Sequence, residues 1–201
     1  MTQKRVFLIQ RLLEALIPII GYFQWRWDLS FILLFYLLDW LLVTFITTAK
    51  GIRRFRHSSE PTEKKLLYRA MLTAVFLLLA GCLVTATAIV FLQPSMSWTE
   101  RIHAFLVYED MGIQQGIVLI PLMVLNGVLV YRQQFIMPAR YRTQTMQMIT
   151  APLVRQGVIL LACAGALLGV VQLVAFPQEI LIFVSIAAIS TYRWLVLRNA
   201  Q

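Results

Sequence analysis

Apolar residues fall along this chain in six long stretches, 6–24, 29–49, 70–92, 112–131, 153–176 and 178–197, with short polar gaps between them. A helix crosses the hydrocarbon of a bilayer in about 20 residues, and it satisfies its own backbone there. The pattern predicts an all-α fold, a polytopic transmembrane helical bundle of six spans forming one domain over 1–201. The first stretch is the least clean, because it carries Gln10, Arg11 and Glu14. Its apolar run is broken by charge and no small-x-small cleavage site follows, so a span is expected there and not a secretory signal.

The gaps have patterns of their own. Trp25-Arg26-Trp27-Asp28 predicts a tight turn with two tryptophans at headgroup level. Phe176-Pro177-Gln178 predicts a hairpin between the last two spans. Within 93–111, Trp98, Ile102, Phe105 and Leu106 recur at helical spacing, with Glu100, Arg101 and His103 on the other faces. A short amphipathic interfacial helix between spans three and four is expected from that. Residues 50–66, centred on Ser58-Ser59-Glu60-Pro61, are expected to form the most mobile loop. Thr143 or Thr145 is placed to cap an extension of span five. No internal repeat is visible, so the sequence lacks the inverted-repeat signature of many transporters.

Charge then orients the spans. Lys4 and Arg5 precede the first, while Lys50, Arg53, Arg54, Arg56, Lys64, Lys65 and Arg69 follow the second. Arg132, Arg140, Arg142 and Arg155 follow the fourth or sit just inside the fifth, and Arg193 and Arg198 end the chain. The alternate gaps hold only Arg26 and Arg101, beside Asp28, Glu100, Glu109, Asp110 and Glu179. Short loops rich in Lys and Arg stay cytoplasmic, so both termini are expected there.

The composition, 60% hydrophobic and 13% charged with mean hydropathy +0.75, suits lipid better than water. A net charge of +9 would suggest nucleic acid in a soluble protein. Here the cations flank spans, so the expected electrostatic partner is anionic lipid and not nucleic acid. Arg53, Arg54, Arg56, Arg140, Arg142 and Arg155 are the candidates for inner-face headgroup or partner contact. Cys82 and Cys163 lie within spans and read as packing residues.

Ionisable groups at membrane depth are the candidate chemistry. Asp39 lies in mid-span, and Glu14 lies halfway along the first span with Arg11 and Gln10 on its face. Pro18 frees the carbonyl of Glu14, and Pro121 that of Ile117 beside Gln114 and Gln115. Two carboxylates sharing a low-dielectric site could carry a proton or a cation. Alternatively Glu14 pairs with Arg11, Asp39 bonds with Tyr36, Thr44 or a neighbouring helix, or the acids meet basic groups on another chain. Asn126, Gln172, Ser190 and Thr191 read as interhelical hydrogen-bonding groups, worth ~0.6 kcal/mol each. Gly165 and Gly169, flanked by Ala162, Ala164 and Ala166, form a GxxxG face that predicts close helix packing, and Gly81 with Thr85 gives a weaker version.

His57 and His103 both lie in gaps, so no span offers an axial haem ligand. HExxH, GxSxG, P-loop and Rossmann patterns are missing. No metal or cofactor is expected, and the reading leans away from an enzyme.

Two stretches carry a family likeness. Tyr36-Leu37-Leu38-Asp39 running on to Lys50 sets an aromatic residue, a mid-helix acid and a basic helix end in order. Arg142 through Arg155 holds Met146, Met148 and Pro152-Leu153-Val154-Arg155, a Pro-x-x-Arg entry into a late helix. Both resemble a family of uncharacterised bacterial multipass membrane proteins, a domain of unknown function. Where that family carries helix histidines, this chain has Asn126 and Leu160. The resemblance implies a bacterial inner-membrane location, with Asp39 and Arg155 as an intramembrane and an interfacial anchor for one shared partner.

The expected function is a non-enzymatic subunit or scaffold of a membrane complex, in contact with lipids, other membrane subunits or a second copy. The alternative is a small proton- or cation-coupled carrier or channel using Glu14 and Asp39. A third is a lipid-modifying enzyme using Arg140, Arg142 and Arg155 with Tyr141.

Overall fold

The computed structural model describes residues 16–25, 27–58, 60–92, 97–107, 109–110, 113–173, 180, 182–184, 186–188 and 191. Helices α1 (Leu16–Trp25), α2 (Leu29–Ser58), α3 (Pro61–Leu92) and α4 (Trp98–Val107) come first. A two-residue antiparallel pair, Glu109–Asp110 with Ile113–Gln114, leads into α5 (Gln115–Tyr131). A π-helical turn (Arg132–Ile136) and a 3₁₀ turn (Arg140–Arg142) join it to α6 (Met146–Leu173), and residues 182–184 and 186–188 are helical.

Four of these helices are long and apolar enough to cross a membrane, over Phe31–Ser58, Pro61–Thr87, Val118–Ile136 and Met146–Ala166. They correspond to the second through fifth expected spans. Of the first, only the short apolar α1 is described, and of the sixth only a few helical residues; Arg11 and Glu14 lie outside the described residues.

Where a mobile loop over 50–66 was expected, α2 continues to Ser58 and α3 begins at Pro61. Hydropathy ends the span near Lys50, but Arg and Lys are good helix formers and simply carry the helix past the apolar segment. Arg56 and His57 in the last turn of α2, and Glu63 in the first turn of α3, complement the two helix dipoles. Pro61 opens α3, where its missing N–H is of no consequence. Likewise α6 starts at Met146, seven residues before the expected span, with the Met148 N–H bonded to the Thr145 hydroxyl as its cap.

α2 is the central element, packed against α3, α5 and α6. Trp27, Phe31, Ile32, Phe35 and Tyr36 are buried with Leu119 and Met123 of α5, Ala164 of α6, and Ile182 and Ile186. A second cluster joins Trp40 to Ala74, Leu77 and Leu153. Trp27 does not anchor at headgroup level as expected. It is 1% exposed, because Gly21 has no β-carbon and the indole folds back over α1. Asp28 accepts the Phe31 N–H at 3.0 Å and caps α2. Inside the helices, Thr44 and Thr85 donate to the carbonyls four residues back, at 2.9 and 2.7 Å, which satisfies hydroxyls that lipid could not.

The outward faces are apolar. Phe76 and Leu83 of α3 are each 70% exposed, and Leu72, Leu79, Leu122 and Leu125 are exposed as well. Such a continuous apolar surface would drive aggregation in water and is matched by lipid.

Arg54 bonds across from α2 to both Glu63 and the turn before α6, so the α2–α3 and α5–α6 connections share one end of the bundle. That end holds Lys50, Arg53, Arg54, Arg56, Lys64, Lys65, Arg132, Arg140 and Arg142. At the other, Ile102 and Ala104 of α4 pack on the Trp27 cluster, beside Asp28 and Glu100. The alternation of basic and acidic gaps along the chain has thus become a segregation of charge between two ends.

Candidate functional site

The basic end is organised around one arginine. Arg54 presents Nε and Nη2 to Oε1 of Glu63 at 2.9 and 2.8 Å, and Nη1 to the carbonyl oxygens of Tyr141 and Arg142, each at 3.1 Å. Its guanidinium is thereby committed inside the protein and is not the headgroup contact that the sequence suggested. Glu63 is 9% exposed, and among the described residues its Oε2 has no hydrogen-bond partner. The loop that Arg54 pins contains Ala139 at φ 53°, a left-handed conformation that β-carbons disfavour.

Pinning the carbonyls of 141 and 142 positions their side chains. The Tyr141 ring lies 5.1 Å from the Arg53 guanidinium carbon and 5.8 Å from that of Arg142, with His57 edge-on at 5.6 Å. Phe135 packs behind it at 6.4 Å, and the Lys50 ammonium lies 5.8 Å from the Phe135 ring. Hydrogen bonding from Arg142 is the main reason the Tyr141 hydroxyl lies below the usual phenol range; burial opposes it next, and the charge of Arg142 and then bonding and charge from Arg53 add to the lowering. Arg53, Arg54 and Arg142 are therefore brought together, while Arg56 and Arg140 stand exposed at the same end. Glu63 escaped the sequence reading, since a partner nine residues away across a helical hairpin has no local spacing signature, and His57 read there only as a gap residue. Arg140-Tyr141-Arg142 was the readable signal.

Arg155 does not belong to this cluster. Because α6 begins at Met146, Arg155 lies nine residues into the helix, about 13 Å along its axis at 1.5 Å per residue. It is exposed, opposite the buried line of Ile149, Leu153 and Gly157. Pro152, Val158, Ala162, Gly165 and Ala166 are exposed along the same outer face.

Gly165 and Gly169 were expected to draw helices together, yet among the described residues nothing lies within 4 Å of where a β-carbon on either would sit. The close approaches are at other glycines, among them Gly21 against Trp27, Gly51 against Leu67, Gly127 against Ile46 and Gly157 against Trp40, while a β-carbon on Gly81 would meet Leu37 Cδ1 at 3.2 Å. Among the described residues Gly165 is exposed and Gly169 half-buried.

Asp39 is half-buried in α2. It shares a helical face with Leu42 and Ile46, whose side chains close on Gly127 of α5, so it lies along the α2–α5 seam. Asn126, also half-buried, is the neighbour of Gly127 on α5. Thr44, one expected partner of Asp39, gives its hydroxyl proton to the Trp40 carbonyl. Glu14 and Arg11 fall outside the described residues, so their expected pairing is not placed. Cys82 and Cys163 are free thiols, and among the described residues no three His, Cys, Asp or Glu side chains gather as metal ligands.

The chain matches no protein-family profile, no curated protein and no solved structure.

Proposed function

We propose that this protein is a multipass subunit or scaffold of a membrane complex, of six spans with both termini cytoplasmic and with no chemistry of its own. The observation that carries the reading is Arg155, exposed on the apolar outer face of α6 in line with Ala162, Gly165 and Gly169. An arginine at the centre of a membrane helix costs about 2.5–3.5 kcal/mol on insertion scales. A partner helix bringing a carboxylate or carbonyl to that depth offsets the cost, and small residues let the two backbones come close. The segregation of basic residues to one end supports the orientation. The resemblance to uncharacterised bacterial multipass proteins supports an inner-membrane location.

The test is a photo-crosslinker at Ala162 in native membranes. A discrete adduct with a second copy or another membrane subunit is expected, and Arg155→Leu should abolish it. A protein that is strictly monomeric in mild detergent and crosslinks to lipid alone would remove the reading.

A second reading rests on Asp39 at the α2–α5 seam. There the acid would carry a proton or cation together with Glu14. Asp39→Asn should then stop any proton or cation flux into liposomes; undiminished flux would clear that residue.

A further inference from the structure

We infer that Arg53, Tyr141 and Arg142 form a binding site for the phosphate of an anionic lipid in the leaflet at the basic end. Two guanidinium groups converge on one phenol, at 5.1 and 5.8 Å from its ring. The salt bridge formed among the described residues at this end, Arg54–Glu63, uses neither of them. Both arginines are exposed, so their planar forks of N–H donors are open to a ligand, and that geometry fits two phosphate oxygens. The Tyr141 hydroxyl, on the ring that both guanidinium groups approach, is a third donor.

The site is also held ready. Arg54 fixes the carbonyls of Tyr141 and Arg142 from behind, and a strained Ala139 turns the chain into place. Ordering a loop before the ligand arrives removes part of the entropy cost of binding. An arrangement stabilised in advance around two like charges is what an anion needs and what a solvated loop does not.

The surroundings favour a lipid over a free anion. On α2, within two to three turns of Arg53, Phe45 is 65% exposed and Ile52 is 42% exposed, and Met137 in the adjoining turn is 70% exposed. Acyl chains can lie against that apolar surface while the headgroup meets the arginines. This inference is independent of whether a helix docks on α6.

The experiment titrates the whole protein in neutral detergent with dihexanoyl phosphatidic acid, with diacylglycerol of the same chains, and with inorganic phosphate. Added salt suppresses diffuse attraction. Phosphatidic acid should bind and the neutral diacylglycerol should not. At about 1 kcal/mol per basic side chain, Arg53→Gln with Arg142→Gln should weaken it roughly thirty-fold. Tyr141→Phe, which keeps the ring, should weaken it by a smaller factor, and Lys64→Gln with Lys65→Gln at the same end should leave it nearly unchanged. Equal loss in the lysine and arginine pairs would reduce the site to diffuse charge and overturn it. Inorganic phosphate binding as tightly as the lipid, or no binding of phosphatidic acid, would overturn it too.

Discussion

The indole of Trp40 fills the space that a β-carbon on Gly157 would need: its Cζ2 lies 2.5 Å from that position, and its Nε1–H donates to the Leu153 carbonyl at 3.4 Å. This contact joins α2 to α6 and meets Leu77 of α3, whose Cδ1 lies 3.0 Å from the same point. A rigid buried ring cannot step aside as a flexible side-chain end can. Gly157→Val should therefore destabilise the bundle by about 1–3 kcal/mol, the cost of overpacking. Gly165→Ala meets no neighbour among the described residues and should leave stability unchanged or slightly raised. Unfolding titrations in mixed micelles compare the two; equal losses would contradict the packing described.

Arg54→Ala strands Glu63, which is 9% exposed and receives Arg54 on one of its two oxygens. Removing one partner of a largely buried pair costs about 3 kcal/mol, mostly through the charge left behind. Adding Glu63→Gln to Arg54→Ala should restore part of that loss, which a double-mutant cycle reads directly. Strictly additive effects would mean the two residues do not act together.

Tyr141 should ionise before the other tyrosines, since Arg142 and Arg53 both favour its phenolate. The sign follows from a folded value below the ordinary 10.0. The stabilisation is complete only above the ordinary value, is lost as pH falls through the folded one, and contributes nothing near neutrality. In an ultraviolet titration, Tyr141→Phe should delete the earliest-ionising phenol and Arg142→Gln should move it upward. An unchanged curve in both variants would contradict the cluster.

α4 begins with a reciprocal cap: Glu100 accepts the Ser97 N–H at 2.7 Å, and the Ser97 hydroxyl accepts the Glu100 N–H at 3.3 Å. The backbone bond from Ser97 is the main reason the Glu100 carboxyl is more acidic than its ordinary 4.5. A lowered carboxylate stabilises fully above that ordinary value and ceases to as pH falls through the folded one. Hydrogen exchange in the first turn of α4 should therefore quicken below the ordinary carboxylate range in the native protein. With Glu100→Gln, whose amide can still accept the bond, this acid-driven change should vanish; a change of the same size would contradict it.

The four long helices were legible because uninterrupted apolar runs leave no other structure in lipid. Their ends were not. Hydropathy is blind to Arg53, Arg54 and Arg56, which continue α2 to Ser58, and to the Gln- and Thr-rich turn that starts α6 at Met146. Trp27 read as an interfacial residue because the pattern along the chain does not reveal that Gly21 lies beneath its indole. GxxxG announced close packing at Gly165, but a motif says that an approach is possible without saying which helix makes it. At the basic end the arginines were visible one by one. Which of them faces inward depends on Glu63, and that pairing exists only once α2 and α3 fold back on one another.

On the proposed orientation, the four long helices cross a membrane with the Arg54 end inside. In a background with Cys82→Ala and Cys163→Ala, single cysteines at Lys64 and His103, both exposed at opposite ends, can be challenged with an impermeant maleimide in intact bacterial cells. His103→Cys should react at once and Lys64→Cys only after permeabilisation. The reverse order, or immediate reaction at both positions, would contradict that orientation.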